Sequence, residues 1–256
     1  MNFQTPPANS VPPLSPPPVL SIASIALMLD FDGTLIPYSI KDTKQPKVDK
    51  ALPSLLEALQ KGTEGATAIV SGRGILELDS LLCPARLPIS GTHGAQIRLS
   101  SDGEIKTLFA ADGLSEMIRL CKDWAAGYPE VEVEQKPITA VLHFHGFPAL
   151  EAPAQSFAKQ LCEEFSTFIP QFGIGSVEMK PEGANKAVGV THMMQEATFQ
   201  GRRPIFIGDD LADEAGFECV NQMGGISIKV GQGETIAKHR LADAMEVRSW
   251  LASLLN

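Results

Sequence analysis

The chain has 256 residues, 44% of them hydrophobic, and its formal net charge at pH 7 is -9. This length and composition suffice for one α/β core with a smaller second domain. The acidic balance argues against nucleic acid as a partner, because its phosphates attract basic surfaces, and no apolar run is long enough to cross a membrane.

The first segment in chain order is rich in proline, with runs at residues 6–7, 12–13 and 16–18. Proline in this density prevents a segment from packing, and the segment has neither the basic start nor the apolar centre of a signal peptide. We expect residues 1–22 to form a disordered or polyproline-like tail.

The first predicted strand ends in two carboxylates. An apolar run at residues 25–29 leads directly into Asp30, Phe31, Asp32, Gly33 and Thr34. In an extended backbone, residues two apart point the same way, so both carboxylates can reach one substrate. Open α/β sheets bind ligands beyond the carboxyl ends of their strands. This pentad therefore predicts phosphoryl transfer through an aspartate nucleophile.

Two other interpretations of the pentad are a plain Asp-Gly turn and the opening of a calcium loop. A calcium loop that began at Asp30 would need an acidic ligand at its twelfth position, and that position is Lys41. The calcium alternative therefore fails, whereas the turn alternative stays open on the pentad alone.

Two later apolar runs also end in polar residues. The runs at residues 66–70 and 204–208 are followed, respectively, by Ser71, Gly72 and Arg73 and by an acidic cluster of Asp209, Asp210, Asp213 and Glu214. A parallel sheet would bring both ends to the same edge as Asp30. Ser71 could equally be a helix cap, but the acidic cluster calls for a cation because its carboxylates repel one another.

Lys186 follows a stretch rich in helix breakers, residues 181–185, and opens a helical pattern. A lysine in a first helical turn is usually solvated. Because this helix precedes the strand that ends at Asp209, the ammonium could instead face the carboxylates, screen a phosphate and keep an aspartate ionised.

The segment between Ser71 and Lys186 is long enough for a second domain. Residues 105–182 hold β-rich pieces at 131–133 and 140–145 and helical patterns around 117–121 and 157–165. We predict that they form a small α+β cap inserted into a core of residues 23–104 and 183–256. Such a cap would close over the substrate and exclude water.

The order Asp30/Asp32, Ser71, Lys186 and Asp209/Asp213 resembles that of the haloacid dehalogenase superfamily of phosphohydrolases. More narrowly, the chain is similar to the trehalose-6-phosphate phosphatases at residues 71–73, 91–95, 177–181 with Lys186, 208–214, 221–225 and Trp250. The resemblance extends from about residue 27 to about residue 251, which is nearly all of the part expected to fold.

The resemblance implies an α/β fold, with a Rossmann-like parallel sheet core of the haloacid dehalogenase type and an inserted smaller α+β cap domain. It implies that Asp30 attacks phosphorus to form an aspartyl phosphate, and that Asp32 acts as general acid and then as general base. Ser71 and Lys186 would bind the transferring phosphoryl oxygens. The implied activity is hydrolysis of trehalose 6-phosphate, in trehalose biosynthesis.

The same resemblance implies a magnesium ion. Its ligands would be the Asp30 carboxylate, the backbone carbonyl of Asp32, Asp209 and waters, with Asp210 and Asp213 in support. Without the metal, these carboxylates would face a dianionic phosphate.

The resemblance also assigns a set of substrate contacts, which are Ser71, Gly72, Arg73, His93, Lys136, His143, Glu178 and Lys180. The cap members would touch the sugar hydroxyls or position the phosphate, because a polyol is recognised by many directional hydrogen bonds. Each has a structural alternative, since charged residues on a half-buried strand usually form its solvated face and His93 could be a turn or core histidine.

The chain departs from the family pattern at three positions. His145 stands where the cap strand of the family has arginine, Ala212 where threonine is usual, and Ala187 where glycine follows the lysine. The first departure bears on substrate contacts, and the other two bear on the surroundings of the catalytic groups.

Two alternatives remain for the function. The same fold could act on sucrose, mannosylglycerate-type or hexose phosphates, as a phosphatase or a mutase, and the region around Glu178 and His143 would select the sugar. A non-catalytic sugar-phosphate sensor would need neither a nucleophile nor an acid, so Asp30 and Asp32 argue against it. We expect a small sugar phosphate as the partner and, from four widely spaced cysteines, a cytoplasmic protein, which we take to be a monomer.

Overall fold

The computed structural model describes residues 15–18, 20–38 and 46–256. Its strands are β1 (Ile25–Leu29), β2 (Thr67–Val70), β3 (Ile89–Gly91), β4 (Gln96–Arg98), β5 (Lys106–Thr107), β6 (Glu132–Gln135), β7 (Ala140–His143), β8 (Phe168–Gly173), β9 (Ser176–Pro181), β10 (Arg203–Gly208), β11 (Ile226–Val230) and β12 (His239–Leu241). Its α-helices are α1 (Ala51–Gly62), α2 (Ile75–Leu82), α3 (Leu114–Ala125), α4 (Glu151–Glu164), α5 (Lys186–Gln195), α6 (Glu214–Gln222) and α7 (Ala244–Ser253).

The core sheet has eight strands in the order β12-β11-β10-β1-β2-β3-β4-β5. The strands from β12 to β3 are parallel, and β4 and β5 complete the sheet in antiparallel fashion. The register pairs Leu29 of β1 with Ile207 of β10 and Ile69 of β2. The residues that follow these three strands at one edge are Asp30, Asp209 and Ser71. The predicted α/β fold with a parallel core sheet is therefore confirmed.

The central strand β1 is buried along its whole length. Ile25, Leu27 and Leu29 pack with α1, α2 and α7 on one face, whereas Ala26 and Met28 pack with α5 and α6 on the other. A parallel strand covered by helices on both faces needs apolar side chains on both, which explains the uninterrupted apolar run before Asp30.

A second sheet is antiparallel, with the order β6-β7-β9-β8. One face packs against α3 and α4 through apolar residues such as Leu142, Val177 and Met179. The opposite face carries polar side chains, and the register aligns Glu134, Val141, Glu178 and Gln171 across it. Strand alternation thus separates a packing face from a polar face.

Strand pairing shows which chain segments build each sheet. The prediction placed the start of the inserted segment at residue 105, but β5 pairs with β4, so residues 106–107 belong to the core sheet. The second sheet uses residues 132–181, and the chain re-enters the core at α5.

Part of the predicted tail packs against the core. The carbonyl of Ser15 accepts a hydrogen bond of 3.2 Å from the N–H of Arg240 on the edge strand β12, and Pro17 is buried. Residues 15–18 thus differ from the disordered tail expected over residues 1–22, because an edge strand presents unpaired N–H groups that a passing chain can satisfy. Residues 1–14 and 19 of that tail, together with Lys41, lie outside the described residues.

The cysteines are free thiols. Burial raises the pKa of Cys121 to about 12 and that of Cys162 to about 11, so both stay protonated at neutral pH. Among the described residues, none of the helices combines the length and the apolar composition that a bilayer crossing requires.

Candidate active site

Three carboxylates meet at the edge of the core sheet where β1 and β10 end. One oxygen from each of Asp30, Asp209 and Asp213 lies within 4.8 Å of the others. Lys186 enters this cluster from the first turn of α5, with its Nζ 2.7 Å from Asp30 Oδ1 and 2.6 Å from Asp213 Oδ1. Asp30, Asp213 and Lys186 are buried. The structure thus brings together four residues that the sequence analysis singled out.

The cluster holds more carboxylate than one lysine offsets. Burial raises the pKa of Asp30 to about 8, with repulsion from Asp209 adding to the rise and Lys186 opposing it. Burial and repulsion from Asp210 and Asp213 raise the pKa of Asp209 to about 6. Burial lowers the pKa of Lys186, but Asp213 and Asp30 favour the ammonium and raise this pKa overall. Such a set of oxygens suits a divalent cation.

The hydrogen bonds separate the possible metal ligands from the supporting carboxylates. Asp213 uses Oδ1 for Lys186 and Oδ2 for the backbone N–H groups of Asp209 and Asp210, at 3.0 Å each. The Asp210 side chain accepts from the N–H of Ala212 at 2.8 Å and caps a short 3-10 helix. Asp30 and Asp209 therefore fit a ligand role for a hard cation such as Mg²⁺, while Asp213 and Asp210 shape the loop around them.

Gly33 makes room for the Asp209 carboxylate. Its φ of 79° lies in the left-handed region that favours glycine. A Cβ at Gly33 would lie 2.1 Å from Asp209 Oδ2. The next residue, Thr34, donates from Oγ1 to Asp209 Oδ1 at 3.3 Å. The turn after β1 thus helps to position a carboxylate that follows β10.

We expect Gly33→Ala to displace the Asp209 carboxylate and to weaken divalent-metal binding at least about tenfold, the usual cost of disturbing a residue that orients a ligand. The matched control is Gly224→Ala, because Gly224 has a φ of +71° and nothing within 4 Å of an added Cβ. In both variants an alanine in the left-handed region costs roughly 1–2 kcal/mol. Only in Gly33→Ala does the added Cβ also collide with the Asp209 carboxylate. Mn²⁺ titration followed by electron paramagnetic resonance measures the affinity, and an equal loss in both variants would contradict this placement of Asp209.

Asp32 forms a bidentate ion pair with Arg73. The Nε of Arg73 lies 2.6 Å from Asp32 Oδ2, and its Nη2 lies 2.8 Å from Asp32 Oδ1. The same guanidinium contacts Glu77 on α2. Arg73, which the family resemblance assigned to the substrate, here fixes the position and plane of the Asp32 carboxylate.

Ser71 is buried at the end of β2. Its Oγ accepts a hydrogen bond of 3.2 Å from the backbone N–H of Arg73 within the turn, whereas the N-cap of α2 is Gly74, so the helix-cap alternative for Ser71 is wrong. A hydroxyl that accepts one such bond still has its own proton to donate. Ser71 can therefore shape the turn and also donate to a bound phosphoryl oxygen.

His93 lies between the Ser71 turn and the second sheet. Thr92 and His93 have φ values of 49° and 52°, which is unusual for residues other than glycine. The His93 Nε2 is 3.4 Å from Glu178 Oε2, and a Cβ on Gly72 would lie 2.5 Å from the same nitrogen. Burial lowers the pKa of His93, so its imidazole is neutral at pH 7.

Lys136 and Glu178 connect the polar face of the second sheet to the core. Lys136 Nζ lies 3.1 Å from the Gly72 carbonyl and 3.1 Å from Glu178 Oε2. Thr139 donates to Glu178 Oε1 at 2.6 Å. Burial raises the pKa of Glu178, but Lys136 and His93 outweigh it and lower this pKa overall. Four predicted substrate residues, Gly72, His93, Lys136 and Glu178, thus form one network.

The two other predicted cap residues have partners outside this network. His143 lies 2.7 Å from Glu134 Oε2 through Nε2, and its Nδ1 lies 3.3 Å from His145 Nε2. Lys180 is buried and donates to the backbone carbonyl of Ala184, and burial lowers its pKa. His145, which replaces the family arginine, therefore pairs with the neighbouring histidine.

Three residues near the site received no role in the sequence analysis, although one of them, Thr34, belongs to the pentad after β1. The Gln171 amide lies 3.3 Å from both ring nitrogens of His93, Thr34 bonds to Asp209, and Lys229 donates to the backbone carbonyl of Asp209. Lys229 lies near the carboxyl end of β11, level with Gly208 at the end of β10. The strand-end pattern that identified Asp30 and Asp209 could therefore have identified Lys229.

Comparison with known proteins agrees with this geometry. The chain matches the family model described as trehalose-phosphatase over residues 28–246. It is 38% identical over 240 residues to the trehalose-6-phosphate phosphatase of Escherichia coli (strain K12). The aligned region covers 93% of this chain and 89% of that protein.

Solved structures match both the family and the fold. The crystal structure of a trehalose-6-phosphate phosphatase related protein superposes with a TM-score of 0.75 and 28% identity, covering 90% of this chain and 96% of that one. A haloacid dehalogenase-like hydrolase from Bacteroides thetaiotaomicron shares the fold, with a TM-score of 0.63 and 14% identity over 89% of this chain and 98% of its own. The chain therefore belongs to the trehalose-phosphatase family, and it is a phosphoric monoester hydrolase with the haloacid dehalogenase fold.

Proposed function

We propose that the protein hydrolyses trehalose 6-phosphate to trehalose and phosphate, using Mg²⁺ and an aspartyl-phosphate intermediate. The observation that carries this proposal is the buried Asp30 carboxylate, which Lys186 contacts at 2.7 Å beside Asp209 and Asp213. The relatives named above support the choice of sugar. In this proposal the reaction takes place in the cytoplasm and completes the synthesis of trehalose.

Asp30 is the nucleophile of the proposed reaction. One of its carboxylate oxygens bonds to phosphorus while the bond from phosphorus to the sugar oxygen breaks, which leaves an aspartyl phosphate and the free sugar. Lys186 and the hydroxyl of Ser71 bind the phosphoryl oxygens during the transfer. The ammonium of Lys186 also favours the ionised form of Asp30 that attack requires.

Asp32 moves the protons. In its protonated form it gives a proton to the leaving sugar oxygen, and the resulting carboxylate takes a proton from the water that attacks the aspartyl phosphate. Phosphate leaves with the oxygen of that water, and Asp30 and Asp32 return to their starting forms. The bidentate contact from Arg73 orients Asp32 and stabilises the carboxylate present between the two steps.

The residues that would hold Mg²⁺ are Asp30, Asp209 and the backbone carbonyl of Asp32, all hard oxygen donors. Bound there, the ion would neutralise charge on the transferring phosphoryl group. Asp213 and Asp210 support this site through the backbone bonds that hold the loop of Asp209.

The polar face of the second sheet supplies sugar specificity in this proposal. Lys136 and Glu178 contact Gly72 and His93, so they lie beside the turn that would bind the phosphate. Their donors and acceptors match sugar hydroxyls, and a site built from such groups rejects ligands that leave them unpaired. His143 and Lys180 line the same face and would contact a sugar after exchanging their present partners.

The test is phosphate release from trehalose 6-phosphate and from sucrose, glucose and mannose phosphates, with Mg²⁺ or with a chelator. We expect kcat/KM for trehalose 6-phosphate to exceed that for each other phosphate by about 100-fold or more, because hydrogen bonds to both rings discriminate strongly. The chelator should abolish release. Equal rates across the panel would favour a general sugar phosphatase, and binding without release would favour a sensor.

A further inference from the structure

Lys229 is a buried lysine that the proposed mechanism does not use. It is 5% exposed and lies on β11, level with Gly208 at the end of β10. Its ammonium donates to the backbone carbonyl of Asp209. Burying an ammonium is costly unless it is paired. The partner of Lys229 is a neutral main-chain carbonyl at the edge of the carboxylate cluster. A buried ammonium in this position therefore needs a structural or functional explanation.

Lys229 holds the carbonyl oxygen of the peptide group between Asp209 and Asp210, and Asp213 holds the N–H of the same group. The carbonyl of Asp209 and the N–H of Asp210 belong to the same peptide unit, and this N–H donates to Asp213 Oδ2 at 3.0 Å. The N–H of Asp209, in the preceding unit, donates to the same oxygen at 3.0 Å. Both peptide groups that flank the Cα of Asp209 are thus fixed from the side.

Fixing both peptide groups fixes the direction in which the Asp209 side chain leaves the backbone, because φ and ψ are the only soft backbone torsions. With this direction fixed, one hydrogen bond from Thr34 and the space left by Gly33 are enough for the Asp209 carboxylate to face Asp30. Within this arrangement, the hydrogen bond from Lys229 fixes the orientation of the peptide group between Asp209 and Asp210 by holding its carbonyl oxygen.

We propose that Lys229 is a positioning residue for the metal site. Its bond to the Asp209 carbonyl holds the backbone so that the carboxylate points at Asp30. This inference rests on the metal-dependent function proposed above. Lys186 contacts Asp30 and Asp213 directly, whereas Lys229 acts only through Asp209, so loss of Lys229 should affect metal binding and leave sugar recognition in place.

The experiment measures Mn²⁺ affinity by electron paramagnetic resonance for the wild type, Lys229→Met and Lys229→Arg. Methionine fills a similar volume without the charge or the donor, and arginine keeps both. We expect Lys229→Met to weaken Mn²⁺ binding by roughly 10–100-fold, as substitutions beside a metal ligand do. The KM for trehalose 6-phosphate at saturating metal should stay within about twofold, and Lys229→Arg should bind Mn²⁺ more tightly than Lys229→Met.

The control is Lys238→Met, which removes the same charge at an exposed position just before β12 and should bind Mn²⁺ as the wild type does. A folded Lys229→Met protein with an affinity within about twofold of the wild type would overturn the inference and leave the proposed function intact. A Lys229→Met chain without cooperative thermal unfolding would also overturn it, since its role would then be in the whole fold. Wild-type protein without Mn²⁺ binding would overturn the metal site itself, and the inference with it.

Discussion

Asp30→Asn is expected to lower the rate of phosphate release by a factor on the order of 10⁴ or more, while the metal-free protein becomes more stable at pH 8. The first effect follows because an amide cannot form the aspartyl phosphate. The second follows because the substitution removes a buried carboxylate from a cluster that already repels it. A loss of activity with a gain of stability is expected of a residue kept for chemistry rather than for folding.

The stability gain should depend on pH. The pKa of Asp30 is raised from 3.8 to about 8 in the folded protein. Between these values the folded protein holds a proton that the unfolded chain gives up, so the stability of the metal-free wild type falls as the pH rises from about 4 to about 8. Asparagine does not titrate, and Asp30→Asn removes this part of the fall. The variant should therefore gain little at pH 4 and most at pH 8.

Phosphate-release assays with Mg²⁺ and thermal unfolding in chelator at pH 4.5 and pH 8 measure the two effects. At pH 8 we expect Asp30→Asn to unfold some 2–4 °C above the wild type for each kcal/mol gained. Asp102→Asn makes the same change at an exposed turn and should alter neither quantity. Retained activity in Asp30→Asn would refute the nucleophile, and a stability difference independent of pH would refute the raised pKa.

Lys186→Met should have the largest effect on stability, about 3–5 kcal/mol at pH 8, because it leaves Asp30 and Asp213 buried without their shared cation. Activity should be lost as well, since the phosphoryl oxygens lose their ammonium. The destabilisation should shrink on acidification, because both carboxyls, whose pKa values are already raised, can then bind protons and bury no charge.

Urea unfolding of metal-free protein at pH 8 and pH 5.5 measures this effect. Lys122→Met is the matched control, because Lys122 is an exposed residue of α3 and its loss should cost little. In the double variant Asp30→Asn/Lys186→Met, much of the lost stability should return, since one of the two unpaired carboxylates is gone. Equal stability of Lys186→Met and the wild type at pH 8 would mean that Lys186 does not compensate the buried charge.

The core of the site could be predicted from the sequence because its signal is local. A parallel strand buried on both faces must be apolar, and its ligand-binding residues must follow its carboxyl end. Asp30, Ser71 and Asp209 each stand directly after such a run, and Lys186 opens a helix after a breaker-rich stretch. The confirmed fold class rests on the same pattern.

Contacts between distant segments could not be predicted in this way. The family resemblance assigned Arg73 to the substrate, but it gave no sign that this guanidinium pairs with Asp32, 41 residues away. The strand-end pattern could have drawn attention to Lys229, but nothing beside Lys229 or Gln171 in the sequence marks their partners, Asp209 and His93. Which groups meet across elements depends on how the elements pack, and no local periodicity records that.

For the proline-rich segment, too, the sequence predicts local properties but does not show contacts with distant parts of the chain. Its composition predicts a segment that does not pack, but composition does not reveal that the Ser15 carbonyl accepts a hydrogen bond from the N–H of Arg240 on β12. The unpaired N–H groups of an edge strand exist only once the sheet has formed. A segment that pairs with them is therefore stabilised only in the tertiary structure.

By itself the sequence determined the α/β class and the strand-end positions of Asp30, Ser71 and Asp209, because burial on both faces of a strand dictates residue type position by position. Its motifs indicated the family by resemblance. Only the tertiary structure decided the pairing of Arg73 with Asp32, the sharing of Lys186 between Asp30 and Asp213, and the network of Lys136, Glu178 and His93. These are interactions between charges brought together from far apart in the chain, and their strength depends on the burial that folding itself creates.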